Sequence, residues 1–256
     1  MKQTLAIIFV LTAAGIANAD LVADYQFDNT FSSSIGSAAD LIEVNGPGSF
    51  GTALVGLGNR TVFNFLADNG LRVNTSGLIA NTEYTAAALF EFDDVAGYKR
   101  ILDTSNLKDD FGVYNTGSGT LGFYSDDDPG TQPFGVNTYV QFVMTRNGTT
   151  GLTRGYLNGV ESFSFIDASF HSSIDGDNQL VFFKDDSAGG ENASGSVARI
   201  QLYDEELTSS AVATLDLFDF SPVPEPSVLT FMVLGLLGFV GCRRRGRIGV
   251  PPFPVQ

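Results

Sequence analysis

The feature that most restricts the fold is a period of two. In Thr138–Arg146, "TYVQFVMTR", Val140, Phe142 and Met144 fall on one side and Gln141 and Thr145 on the other. Side chains of an extended chain point alternately to opposite faces, so such a run suits a strand with one buried face. Tyr84–Phe92, "YTAAALFEF", is a second clear case. Further strand-like runs are Leu21–Phe27, Thr61–Leu66, Lys99–Asp103, Phe111–Asn115, Leu121–Tyr124, Arg154–Leu157, Val160–Ile166, Leu180–Lys184 and Val197–Tyr203.

Turn chemistry separates these runs. Asn158-Gly159 in "YLNGVESF" tolerates positive φ at both central positions, which predicts a tight hairpin. Asn115–Phe123, "NTGSGTLGF", predicts a looser one, and Ser125–Pro133 and Asp185–Gly195 read as loops rich in glycine and acid. Helical spacing is confined to Leu207–Leu215, where Thr208 is placed to cap. Many short strands and one short helix predict an all-β fold, two antiparallel sheets packed face to face over residues 20–220.

Both termini read as targeting segments. Lys2, the apolar run Leu5–Ile16 and the small-x-small triplet ending in Ala17 and Ala19 match a secretory signal peptide over residues 1–19, leaving Asp20 as the first mature residue. Near the other end, prolines at 222, 224 and 226 keep a strip extended ahead of the apolar stretch Val228–Gly241. That stretch is shorter than the roughly 20 residues that cross hydrocarbon untilted, and residues from Val223 onward bring it nearer a full span. Arg243, Arg244 and Arg245 favour the cytoplasmic side, so the tail would halt in an inner membrane with the body outside. A permanent single-span anchor and a transient one have the same physics, and Ile248–Gln256 extends beyond the basic cluster.

The net charge of −15 excludes nucleic acid as a favoured partner, since phosphates would be repelled. The lone cysteine, Cys242, lies in the tail, so the body forms no internal disulfide. With one histidine and no cysteine in the body, Cys–His catalysis is excluded, and a Ser–His arrangement would rest on His171 alone. His171 lies in a polar stretch, Ser169–Ser173, and reads as a surface residue.

Three segments carry a family resemblance. Gly155–Phe163 ("GYLNGVESF") is similar to the penultimate hairpin of laminin-G-like domains in the concanavalin A-like jelly-roll superfamily. Gly195–Leu215 ("GSVARIQLYDEELTSSAVATL") is similar to their final strand and short helix, and Asp24–Asn29 ("DYQFDN") resembles their opening strand. The resemblance implies a jelly roll of two antiparallel sheets, each of about six strands. The tail resembles the PEP-CTERM sorting signal through Pro224, Glu225 and Pro226, the apolar segment and the arginines, over residues 221–247. It implies an exosortase-type transpeptidase as partner, transient residence in the inner membrane of a Gram-negative bacterium, and release to the cell surface or an extracellular, biofilm-type matrix.

Three kinds of chemistry follow. Jelly rolls of this superfamily also host glycoside hydrolases with paired carboxylates on one strand, and Glu91 and Asp93 share a strand face. The resemblance would require a further glutamate nearby, and "DVAGYK" supplies none, so a non-catalytic protein that binds carbohydrate or protein is expected, with the hydrolase and a purely structural surface protein as alternatives. Laminin-G-like domains often hold calcium, which takes six to eight oxygens. Asp185, Asp186 and Glu191 are the leading ligands, with Asp126, Asp127 and Asp128 as the alternative set. A ligand site, with extracellular polysaccharide or protein as partner, would draw on Tyr114, Asn115 and Tyr124.

Overall fold

The computed structural model describes residues 19–124, 129–186 and 189–220. Among them the strands are β1 Leu21–Tyr25, β2 Ile42–Val44, β3 Ser49–Val55, β4 Gly58–Phe65, β5 Gly70–Asn74, β6 Tyr84–Phe92, β7 Lys99–Asp103, β8 Gly112–Asn115, β9 Leu121–Tyr124, β10 Val140–Arg146, β11 Leu152–Leu157, β12 Val160–Ile166, β13 Gln179–Phe182 and β14 Gly195–Tyr203. The helix α1 spans Ser209–Thr214, with the Thr208 hydroxyl accepting from the Ala211 amide. The strands form two antiparallel sheets, an eight-stranded one in the order β12-β11-β10-β6-β14-β4-β3 with β1 also on β14, and a six-stranded one in the order β2-β5-β13-β7-β8-β9. This is the expected sandwich, with one sheet larger than anticipated.

Alternation builds the core between the sheets. Tyr84, Ala86, Ala88, Phe90 and Phe92 of β6 and Val140, Phe142 and Met144 of β10 join Val113, Leu121, Phe123, Leu180 and Phe182 of the smaller sheet in one buried cluster. At the Asn158-Gly159 hairpin both residues have positive φ, 51° and 78°, the conformation that matches strand twist.

The other face of β10 is also covered. Gln141 donates from Nε2 to the Leu215 carbonyl at 3.0 Å and accepts from the Leu217 amide at 2.9 Å, while the Tyr156 hydroxyl meets that of Ser209 at 2.9 Å. Val212 and Leu217 are fully buried. The chain after β14 therefore closes over this part of the larger sheet's outer face. Nearby, Arg199 grips the Asp24 carboxylate with two donors, at 2.7 and 2.9 Å. Burial pushes the Asp24 carboxyl up, but hydrogen bonds from Arg199, Gln26 and Gln201 outweigh it and hold it below its ordinary value.

Gly195 opens β14 because no side chain fits there. A Cβ at that position would lie 2.1 Å from the Glu91 carbonyl oxygen on the neighbouring strand. Gly195→Ala is expected to cost about 1–3 kcal/mol through forced strand displacement. A urea titration should show a lower midpoint with an unchanged slope.

Ala17, Asp126, Asp127 and Asp128 lie outside the described residues, as do the sorting strip and the expected C-terminal membrane helix. Among the described residues no helix is long and apolar enough to cross a membrane.

Candidate functional site

A β-bulge in β7 creates a buried, charged site in the sandwich. In a regular strand Arg100 and Asp103 would face opposite sides. The β7–β8 register shifts between Arg100 and Leu102, so Ile101 and Leu102 both enter the core. Arg100 and Asp103 then meet away from it, Nη1 to Oδ2 at 3.3 Å, with both side chains fully buried. Arg100 also donates from Nη2 to Asp110 at 2.9 Å and to Asp185 at 3.4 Å, and from Nη1 to the Phe111 carbonyl at 2.6 Å. Its guanidinium lies 4.4 Å from the centre of the Tyr114 ring.

Around this cation the carboxylates of Asp110, Asp185 and Glu191 converge, each offering one oxygen, all within 4.8 Å of one another. Two backbone bonds fold the loop back. The Glu191 amide donates to Asp185 Oδ2 at 3.0 Å, and the Glu191 carbonyl accepts from the Arg100 amide at 2.7 Å. The Glu191 carboxylate itself has no hydrogen bond among the described residues. Burial, followed by the charges of Asp110 and Asp185, raises its pKa above the ordinary value. Asp103 is raised as well, by burial that Arg100 only partly offsets. Four carboxylates thus face one guanidinium, and an oxygen-ligated divalent cation fits this surplus of negative charge and hard donors. Of the residues expected as ligands, Asp185 and Glu191 meet; Asp186 is not in the cluster, and Asp110 from the β7–β8 loop takes the third place.

The expected ligand-binding trio divides. Tyr114 and Asn115 are fully buried. Each instead supports a neighbour. The Tyr114 hydroxyl donates to Asp110 Oδ1 at 2.7 Å, and burial, reinforced by that bond, drives its pKa upward. Asn115 donates to the carbonyls of Val95 and Gly97 at 2.8 and 3.0 Å, pinning the loop that carries Tyr98. Tyr98 and Tyr124 are 41% and 46% exposed. They stand edge-on to each other at 6.4 Å and to Tyr114 at 5.9 and 6.1 Å. Tyr98 was not singled out in sequence, because an isolated tyrosine after a glycine has no periodic pattern.

Glu91 lies on the other sheet, in β6. Its carboxylate accepts from the Ser196 hydroxyl at 2.8 Å, and that hydroxyl is also bonded to Tyr139. Burial raises the Glu91 pKa, the Ser196 bond lowers it and the Asp93 charge raises it again, leaving it above its ordinary value. Asp93 is exposed just past the strand end. His171 is half-buried in a loop and stacked on Phe111 with ring centres 3.8 Å apart.

Residues 65–213 match the family model described as the concanavalin A-like lectin/glucanases superfamily, of laminin-G type, and residues 222–245 match the PEP-CTERM protein-sorting motif. No curated protein sequence matches the chain. Among solved structures, domain 4 of the extracellular GH43 arabinanase AbnA from Geobacillus stearothermophilus, in complex with arabinotriose, is similar at a TM-score of 0.60 and 18% identity, covering 77% of this chain and 98% of that one. Trypanosoma rangeli sialidase in complex with 2,3-difluorosialic acid is similar at a TM-score of 0.55 and 14% identity over 80% of this chain, and only 34% of the sialidase is covered. At these identities the likeness is one of fold.

Proposed function

Because the chain belongs to the concanavalin A-like lectin/glucanases superfamily, we propose that it is a non-catalytic carbohydrate-binding protein of the cell surface or extracellular matrix. The sorting motif marks it as exported and held at a membrane before processing. An exosortase-type transpeptidase would act at the strip around Pro224, Glu225 and Pro226, after removal of residues 1–19, and pass a body of residues 20–220 outward.

The observation that carries the reading is the pair of half-exposed tyrosines, Tyr98 and Tyr124, held edge-on around Tyr114, whose hydroxyl is bonded to the acidic cluster. Sugar sites combine an aromatic face for C–H surfaces with carboxylates and amides for hydroxyls. A calcium ion held by Asp110, Asp185 and Glu191 would add a hard Lewis-acidic centre for sugar oxygens. Domain 4 of the arabinanase, bound to arabinotriose, is a relative in fold that supports this class of ligand.

The test is affinity electrophoresis against neutral polysaccharides with and without calcium. Tyr124→Ala is expected to weaken retention about tenfold, a loss of roughly 1.4 kcal/mol. Its melting temperature should stay close to that of the parent, since half the side chain is already in water. Retention by no polysaccharide, or equal retention of parent and variant, would reject the site. The hydrolase alternative has one favouring observation, the raised pKa of Glu91 beside Asp93. Release of reducing ends that Glu91→Gln abolishes would replace the non-catalytic reading.

A further inference from the structure

The segment Ala168–Ile174 holds an aromatic side chain in a place that stability alone does not favour. Phe170 is 63% exposed, and its φ is +63°. A bulky residue in the left-handed region costs on the order of 1–3 kcal/mol and persists only where surrounding structure dictates it. Here it does. The Asp167 carboxylate accepts from the His171 amide at 2.8 Å, the Ser172 amide at 3.0 Å and the Ser172 hydroxyl at 2.6 Å. Arg146, buried beneath, donates to Asp167 and Ser172 at 3.3 and 3.1 Å, and its guanidinium stands 5.7 Å from the Phe170 ring. The Tyr84 hydroxyl donates to the Ser172 carbonyl at 2.6 Å, and that of Thr104 to the His171 carbonyl at 2.8 Å.

Phe170 thereby forms part of the wall of a cavity of about 320 Å³, which also takes in Phe111, His171, Asp109, Ser173 and Asp175. That volume is at the lower end of small-molecule sites, roughly 300–1,000 Å³. The stacked Phe111 and His171 rings supply flat apolar surface. The Ser173 hydroxyl oxygen is buried with no hydrogen-bond partner among the described residues. Asp175 accepts from Lys108 at 2.6 Å, and the Asp109 carboxylate is exposed. Apolar ring faces and carboxylate acceptors match a neutral sugar ring: C–H bonds for the rings and hydroxyl donors for the carboxylates. Asp175 is paired with Lys108, so it is the exposed Asp109 carboxylate that disfavours an anionic ligand.

We propose that this cavity is a second carbohydrate subsite, selective for a neutral glycoside and separate from the tyrosine platform. In its ligand class it rests on the carbohydrate-binding reading. His171 is the only histidine of the chain, so its ring protons are a unique reporter of the cavity. The experiment is a proton NMR titration at fixed pH of the full-length chain, purified without a histidine tag in a non-glycosidic detergent. The probes are methyl glucoside, methyl galactoside, methyl arabinofuranoside and glucuronate.

At least one neutral glycoside is expected to shift the His171 resonances saturably, with glucuronate weaker than glucoside. Phe170→Ala should weaken that response about tenfold. Phe170 is exposed, so its truncation leaves the fold intact, and unchanged resonances elsewhere verify this. Sugar binding that Tyr124→Ala abolishes while His171 stays unmoved overturns the subsite and leaves the proposed function standing. A His171 response that Phe170→Ala does not weaken, or tighter binding of glucuronate, also overturns it. No binding of any probe, together with no retention by polysaccharide, removes both.

Discussion

Arg100→Met is expected to lower the unfolding free energy by about 3–5 kcal/mol, the range for removing one partner from a buried ionic cluster. Methionine keeps much of the volume of the stem but takes away the guanidinium that faces Asp103, Asp110 and Asp185. The side chains of Asp103 and Asp185 are almost completely buried, so their charges cannot turn to solvent. The Phe111 carbonyl also loses its donor. Urea unfolding of parent and variant measures the loss. A double-mutant cycle with Asp185→Asn separates the ionic part, and the paired variant should recover more than about 1 kcal/mol of it. A loss below about 1 kcal/mol for Arg100→Met would show that the cluster is solvated or protonated, and the surplus of negative charge would not exist.

Calcium is expected to raise the melting temperature, and the rise should vanish in the paired variant Asp185→Asn with Glu191→Gln. A ligand bound only to the folded state at a hundred times its dissociation constant contributes about 2.7 kcal/mol. For a domain of this size that is a shift of roughly 5–10 °C. The pH dependence follows from Glu191, whose folded pKa lies above its ordinary value of 4.5 through burial and the neighbouring Asp110 and Asp185 charges. Between the unfolded value and the raised folded value the native state binds more protons than the unfolded state. Without metal, the contribution of Glu191 to stability therefore falls as pH rises through this window. Calcium removes that penalty, because it pairs with the ionised form. The difference in melting temperature with and without calcium should thus grow as pH rises past the raised value and shrink below it. A flat difference, or none at millimolar calcium, would reject the cation site. Magnesium should do less, since it demands a tighter octahedron and sheds water reluctantly.

The larger sheet was legible because its central strands alternate. Tyr84–Phe92 and Val140–Arg146 announce one core face each, and Asn158-Gly159 announces the turn that joins β11 to β12. Three strands were not legible. β2 is three residues long and mostly exposed. β3, "SFGTALV", has small residues and a glycine where alternation would be read. β5 begins at Gly70, which reads as a turn signal, yet a Cβ there would lie 2.2 Å from the Phe182 carbonyl. That glycine marks close strand approach instead.

The residue pattern by itself determined a sandwich, a buried face for each long strand, an acidic body and the sorting motif that follows it, because periodicity and composition are local properties of a chain. Tertiary structure alone decided what the acidic and aromatic residues do. The bulge at Ile101 puts Arg100 beside Asp103, and loops distant in sequence bring Asp110 to Glu191 and Phe111 to His171. Those meetings depend on strand register and loop return, and no spacing along the chain records either.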